Sequence, residues 1–416
     1  MARIADRLSL GGIVAVALIL RVTWALWIPV APYSDPGAYL AMAENLLNHG
    51  VYGFEPDVPS GQWPPGTSAV YAALFFVAGS SPAVIAGFNI MVSLANVLLT
   101  WAVGREIGGA RAGLVAAAIM AVWPQMIFFV TIPASEPLFI AALLLSALMW
   151  RRATGAHWGY AVTAGLFLAA AAYLRSVALL FPLVFLAAAL LTRACPPSHA
   201  VARIVILCLA MAAAIAPWTY RNYQVFDAFV LISANFGSNL HIGNRPGGTG
   251  RFQEGGGARD DGADMNQADA SRAMGREAAA IILDDPARFL RLSLQKLILT
   301  HDRETIGVAW NAQGFEGRLG GRGETALKVL ATGYWYAVLA ATALSIGALL
   351  VFGPRAGLAL PLLAWAYFAG IHAVVLAGDR FHMPSTPFMA VIIGLAVAGY
   401  AARAERATPP PSPKPT

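Results

Sequence analysis

Apolar runs long enough to cross a bilayer recur along this chain from residue 10 almost to its end, and that pattern excludes an ordinary water-soluble fold. A crossing helix needs about 20 mostly apolar residues, because the hydrocarbon core is about 30 Å thick and a helix rises about 1.5 Å per residue. Such runs fall at about 10–30, 83–103, 112–130, 137–150, 158–173, 177–192, 202–218, 328–352, 356–376 and 384–402, roughly ten. Composition agrees, since 58% of the 416 residues are hydrophobic and only 12% are charged. The expected fold class is an all-α polytopic membrane protein. The first run has a basic residue ahead of it, as a secretory signal would. It contains Arg21 and lacks a small-x-small cleavage site, so it reads as a retained span. The segment 64–79 is apolar but short and opens with two prolines, which suits a helix lying at the interface.

Charge sets the expected topology. With the N-terminus inside, the inside loops contain Arg105 and Arg111, then Arg151 and Arg152, Arg193 and Arg203, Arg355, and finally Arg403, Arg406 and Lys414. The first outside loop, 31–82, carries Asp35, Glu44, Glu55 and Asp57 and neither Lys nor Arg. Both termini are therefore expected in the cytoplasm. The organisation is an N-terminal membrane module 1–218, a small extracytoplasmic segment 219–327, C-terminal membrane helices 328–402 and a disordered, Pro-rich tail 403–416. The extracytoplasmic segment begins with aromatic and β-branched pieces punctuated by Gly and Asn. It continues through a Gly- and Asp-rich loop at 254–264 into two helical stretches. The second sets Arg288, Arg291 and Lys296 opposite Leu and Phe, as on a membrane-surface helix. Two cysteines, Cys195 and Cys208, make no disulfide framework.

Polar side chains are informative in so apolar a chain, because a charge at mid-bilayer costs about 2.5–3.5 kcal/mol on insertion scales. Asp35 precedes Pro36, so it reads as the N-cap of a helix ending near Gly50, and one carboxylate oxygen can cap while the other faces a cavity. Tyr39 lies one turn later on the same face, where it either anchors at the interface or positions a substrate. Glu136, in "ASEP", opens a span as a first-turn acid. Arg175, Arg221 and Arg380 lie on the side where cations should be scarce. Ion pairs such as Asp379 with Arg380 or Asp227 with Arg221 would account for them singly. Together with His382 they also describe a site for a lipid phosphate. Arg21 is expected to face the bundle. The histidines show no ligand spacing, so no metal site is read.

The stretches "YSDPGAYLAMAENLLNHGVYGF", "PPGTSAVYAALFF", "WPQMIFFVTIPASEPLF", "PWTYRNYQVFDAFVLISANFGSNLHIGN" and "DRFHMPSTPFMAVIIG" together resemble, in order, the bacterial branch of the dolichyl-phosphate-mannose protein mannosyltransferase superfamily. That family 39-like branch includes aminoarabinose transferases and rhizobial galacturonosyltransferases. The resemblance implies a GT-C fold in a bacterial inner membrane, with the active site facing the periplasm or cell exterior. It implies a polyprenyl-phosphate-sugar donor, inversion at the anomeric carbon, and a lipid, glycan or protein acceptor in cell-envelope chemistry such as lipid A or glycan modification. By the same resemblance Asp35 is the catalytic acid, Glu136 the second acidic position and Arg380 a donor-end residue. Many relatives carry Arg where this chain has His382.

The expected function is glycosyl transfer by a hexosyl- or pentosyltransferase. Asp35 activates an acceptor hydroxyl, Glu136 and Tyr39 orient the acceptor, and Arg380, Arg221, Arg175 and His382 hold the donor phosphate. Membrane lipids are the surroundings and nucleic acid is not a partner. No cofactor is assigned, and a divalent cation at Glu136 is left open. A polytopic transporter or flippase of lipid-linked or envelope substrates is the alternative. It would predict two related halves with broken helices at matching positions, and none is visible. A non-catalytic assembly partner in envelope synthesis would keep the fold without needing Asp35.

Overall fold

The computed structural model describes residues 2–155, 157–253, 266–315, 317–353 and 355–407. The Gly- and Asp-rich loop 254–264 and the tail from 408 onward lie outside them, while the last helix runs on to Ala407, past the expected tail boundary at 403. In chain order the main helices are α1 (Ala2–Trp27), α2 (Asp35–His49), α3 (Gly66–Ala78), α4 (Pro82–Ala121), α5 (Ser135–Gly155), α6 (Gly159–Leu174) and α7 (Pro182–Thr192). They continue as α8 (Pro197–Phe226), α9 (Phe236–Asn244), α10 (Gln267–Asp284), α11 (Pro286–His301), α12 (Gly321–Phe352), α13 (Arg355–Val374) and α14 (Thr386–Ala407).

Seven helices among the described residues are long and apolar enough to cross a membrane, which makes this a multi-pass membrane protein. The expected ten spans are not matched one for one. Runs 158–173 and 177–192 are the short apolar helices α6 and α7, and runs 83–103 and 112–130 meet in α4. There Gly109 adopts φ 83° and ψ 179°, a backbone that side chains rarely tolerate. The two arms of α4 fold back there, since a Cβ on Gly113 would lie 2.6 Å from the Trp101 carbonyl oxygen. Small residues permit that approach, as in other membrane helix packing. α14 packs along the same seam, where a Cβ on Gly394 would lie 2.3 Å from Ala112 O.

Arg21 faces the bundle as expected and is fully buried. Its guanidinium donates to Ser93 Oγ (2.7 Å), Ala17 O (3.1 Å), Ala121 O (2.7 Å) and Met120 O (3.2 Å). The last two carbonyls end α4, so Arg21 satisfies acceptors that the helix itself leaves open. α3 has 13 residues and is too short to cross the core untilted.

The segment after α8 holds no strand among the described residues. Side chains on α8 take the backbone acceptors that a neighbouring strand would have taken. Asn222 Nδ2 donates to Val230 O and Ile232 O, Trp218 Nε1 to Ile232 O, and Thr219 Oγ1 to Leu231 O. The amphipathic helix α11 is turned with its polar side inward. Lys296 is buried and donates to Asn244 Oδ1 (2.9 Å) and Val374 O (2.8 Å), while Leu290, Leu294 and Ile298 are exposed in a row four residues apart.

Candidate active site

The connections at one end of the bundle enclose a cavity of about 1210 Å³. Four of the singled-out charges meet at its wall. Asp35 is the first helical residue of α2, and Ser34, not Asp35, occupies the N-cap without a side-chain capping bond. The expected capping role of Asp35 is therefore corrected. Its carboxylate instead pairs with Arg380 Nη2 at 2.7 Å. Ser34 has φ 58° and ψ −140°, strained for a residue with a side chain, and this bend sets the entry of α2.

Arg380 Nε also lies 3.8 Å from Glu136 Oε1, and Arg175 Nη1 donates to the same oxygen at 2.5 Å and to Ser135 Oγ at 3.2 Å. Ser135 Oγ in turn donates to Glu136 Oε2 at 3.3 Å. The side chain of Glu136 is 1% exposed and that of Asp35 is 25% exposed, so of these two acids Asp35 presents its carboxylate to the cavity. Burial lowers the affinity of the Arg380 guanidinium for its proton. Asp35 and Glu136 outweigh that cost and raise it above its ordinary value, so it stays charged. The Arg380 guanidinium lies over Trp310 at 4.7 Å, and Phe381 lies beside both Arg380 (5.3 Å) and Arg175 (5.5 Å). Tyr39 lines the cavity one turn beyond Asp35. Burial, then the charges of Asp35 and Glu136, push its hydroxyl up to about 12, so it remains a neutral donor.

Asp379 does not pair with Arg380. Its Oδ2 accepts from Thr305 N (2.8 Å), Thr305 Oγ1 (2.8 Å) and Ile306 N (3.1 Å), which ties the loop carrying Arg380 to the segment carrying Trp310. Two expected phosphate ligands lie elsewhere. His382 is buried behind the site, with Nδ1 2.7 Å from Thr300 O, Nε2 3.2 Å from Glu304 Oε1 and its ring stacked on Trp335 at 3.9 Å. Glu304 is itself buried, which raises its pKa, and it accepts from Trp123 Nε1. Arg221 donates to Ser60 O and Asn222 Oδ1 at 3.0 Å each and packs on Trp218, so it clamps the first loop and does not line the cavity. Asp227 is the αL cap of α8 and not its ion-pair partner. Trp310 and the capping role of Asp379 were missed. Neither has a local sequence signal, because each depends on partners far along the chain.

A divalent cation fits this donor set poorly. Glu136 already faces two guanidinium groups, and among the described residues no third His, Cys, Asp or Glu joins the two acids to make a ligand group.

No family model matches the sequence, and no curated protein matches it. Solved structures do match in fold. The archaeal oligosaccharyltransferase AglB from Archaeoglobus fulgidus, in complex with an inhibitory peptide and a dolichol-phosphate, superposes with a TM-score of 0.58 at 16% identity, covering 97% of this chain and 52% of AglB. The Archaeoglobus fulgidus oligosaccharyltransferase tethered to an acceptor peptide gives 0.55 at 15% identity, covering 95% of this chain and 50% of that one. ArnT from Cupriavidus metallidurans bound to undecaprenyl phosphate gives 0.43 at 14% identity, covering 96% of this chain and 81% of ArnT. This chain spans about half the length of the oligosaccharyltransferase. The oligosaccharyltransferase likeness, over nearly all of this chain, shows that its fold is the GT-C fold.

Proposed function

We propose that this chain is a membrane glycosyltransferase moving a sugar from a polyprenyl-phosphate-linked donor to an acceptor at the outer membrane face. The observation that carries the reading is the Asp35–Arg380 ion pair on the wall of a large cavity, backed by Glu136 and Arg175. The GT-C fold supports it, as do the dolichol-phosphate and acceptor peptide bound by the oligosaccharyltransferase. The acidic first loop, opposite the basic loops, supports a site facing the periplasm or cell exterior.

The reaction is a single displacement. The acceptor hydroxyl oxygen attacks C1 of the sugar and gives its proton to the Asp35 carboxylate. The bond from C1 to the phosphate oxygen breaks, and its electron pair leaves with the polyprenyl phosphate. Arg380, with Arg175 beside it, holds the charge that gathers on that leaving group. Attack opposite the departing oxygen inverts C1. Glu136 is too buried to meet an acceptor and acts as a positioning residue that keeps the two arginines together. Tyr39 donates from its hydroxyl to substrate oxygen.

In this structure Arg380 pairs with Asp35. A donor phosphate that takes over Arg380 frees Asp35 to act as a base, which orders the events: donor first, proton abstraction second. Asp35→Asn keeps the shape and removes the base. Mass spectra of envelope lipids and glycans from cells expressing it should lack one sugar addition that the unmodified chain supports. Normal addition by a well-inserted Asp35→Asn chain would overturn the assignment.

A further inference from the structure

Beyond Arg175 the cavity lining includes a run of neutral polar side chains built differently from the acid and arginine cluster. Ser176, next in the chain to Arg175, has its Oγ 2.9 Å from Ser233 Oγ, and Ser233 Oγ donates to Asn235 Oδ1 at 3.0 Å. Ala234 N donates to Gly61 O at 2.7 Å, which brings the Gln62–Trp63 corner of the first loop against the Ser233–Asn235 stretch. Asn239 follows Asn235 by one helical turn at the start of α9 and lines the same cavity. All of these side chains are partly buried. Among the described residues the side-chain amide nitrogens of Gln62, Asn235 and Asn239 have no hydrogen-bond partner within the protein.

Carboxamides with free N–H groups have a definite chemistry. Each presents a donor and an acceptor side by side, which matches two neighbouring hydroxyls on a sugar ring. The linked serine oxygens can accept from sugar hydroxyls, and the Trp63 ring offers an apolar face of the kind that sugar C–H faces cover. None of these six side chains is a cation, so the ledge itself offers a phosphate no charge. An extended peptide is well held by a sheet edge, and among the described residues the cavity wall offers only the isolated bridge of Arg251 with Ala377.

We infer that this ledge, Gln62, Trp63, Ser176, Ser233, Asn235 and Asn239, reads the hydroxyl groups of a neutral sugar ring beside the reacting centre. The inference rests on the glycosyl-transfer reading and adds the residues that select the sugar. The ring belongs either to the donor or to a glycan acceptor, and the chemistry of recognition is the same.

The test uses the full-length chain in nanodiscs. The probes are undecaprenyl phosphate, undecaprenyl-phosphate-linked glucose, galactose, mannose and arabinose, and printed glycan and peptide arrays. Asn239→Ala and Gln62→Ala remove side chains with no bond inside the protein, so both should fold normally, and Asn235→Ala is the third variant. If the ring is the donor's, at least one sugar lipid binds more tightly than undecaprenyl phosphate. Asn235→Ala or Asn239→Ala then weakens it about five-fold, the equivalent of one neutral hydrogen bond of about 1 kcal/mol. Undecaprenyl phosphate itself is unaffected. If the ring is the acceptor's, the sugar lipids bind all variants alike and the variants lose array glycans that the unmodified chain retains. Equal binding of every probe by every variant overturns the inference. So do losses confined to bare undecaprenyl phosphate or to unglycosylated peptides. The transfer reading fails separately, by turnover in Asp35→Asn, whatever the arrays show.

Discussion

At the scale of single residues, the candidate site is a set of charges that neutralise one another. Asp35 and Arg380 are each about three-quarters buried and lie 2.7 Å apart, so a phosphate entering the cavity competes with a carboxylate for the same guanidinium. Asp35→Asn should therefore abolish transfer and also bind undecaprenyl phosphate more tightly. The expected gain is about five-fold, since a partly exposed ion pair is worth about 1 kcal/mol. Titration of the purified variant in nanodiscs reads it directly, and unchanged or weaker binding would show that the pair does not gate the phosphate. The four charges that converge were visible in the sequence because the arginines lie on a face where cations should be scarce and because the family resemblance marks Asp35, Glu136 and Arg380, although each acid alone also reads as a helix-start residue. The same logic misplaced His382 and Arg221. A charge-bearing side chain beside a membrane also survives by finding buried partners, and Glu304 and the backbone of Ser60 are too distant in sequence to be foreseen.

At the scale of elements, α11 shows how an amphipathic pattern can be legible and its orientation hidden. The spacing of Arg288, Lys296 and the leucines reveals a two-faced helix. Only the fold shows that Lys296 turns inward to Asn244 Oδ1 and Val374 O, joining α11 to the ends of α9 and α13. Burial, with the charge of Arg288 adding to it, lowers the Lys296 pKa from 10.5 to about 8. The unfolded chain thus binds more protons than the folded one between those values, and stability rises with pH across that window. Thermal unfolding in detergent should show a Tm that climbs from pH 8 toward 10. Lys296→Met should lose that climb, and an identical pH profile in the variant would remove Lys296 as its source. α2 carries a similar lesson. Asp-Pro announces a helix start, but the strained Ser34 takes the cap and leaves Asp35 for Arg380.

At the scale of the molecule, the all-helical polytopic architecture was legible from apolar run lengths and the GT-C fold from the family resemblance, while the count of spans was not. Run length cannot tell a straight crossing from the two arms of α4, whose turn depends on one glycine at φ 83°. The seam between α4 and α14 is closed to side chains, so Gly394→Ala should force backbone movement against Ala112 and cost about 1–3 kcal/mol. A lowered Tm for the detergent-solubilised variant would show it, and a Tm equal to that of the unmodified chain would mean the seam has slack. The orientation of α11 bears on the nature of the whole segment between α8 and α12. Leu290, Leu294 and Ile298 point away from the rest of the protein, and Phe229 and Phe236 are exposed as well. Its inner polar groups are completed by Val374, Asp379 and Ala377, which belong to the membrane helices and their connection. Excised and expressed in water, the segment would lose those partners and display a row of leucines. It is a roof that exists only on its walls.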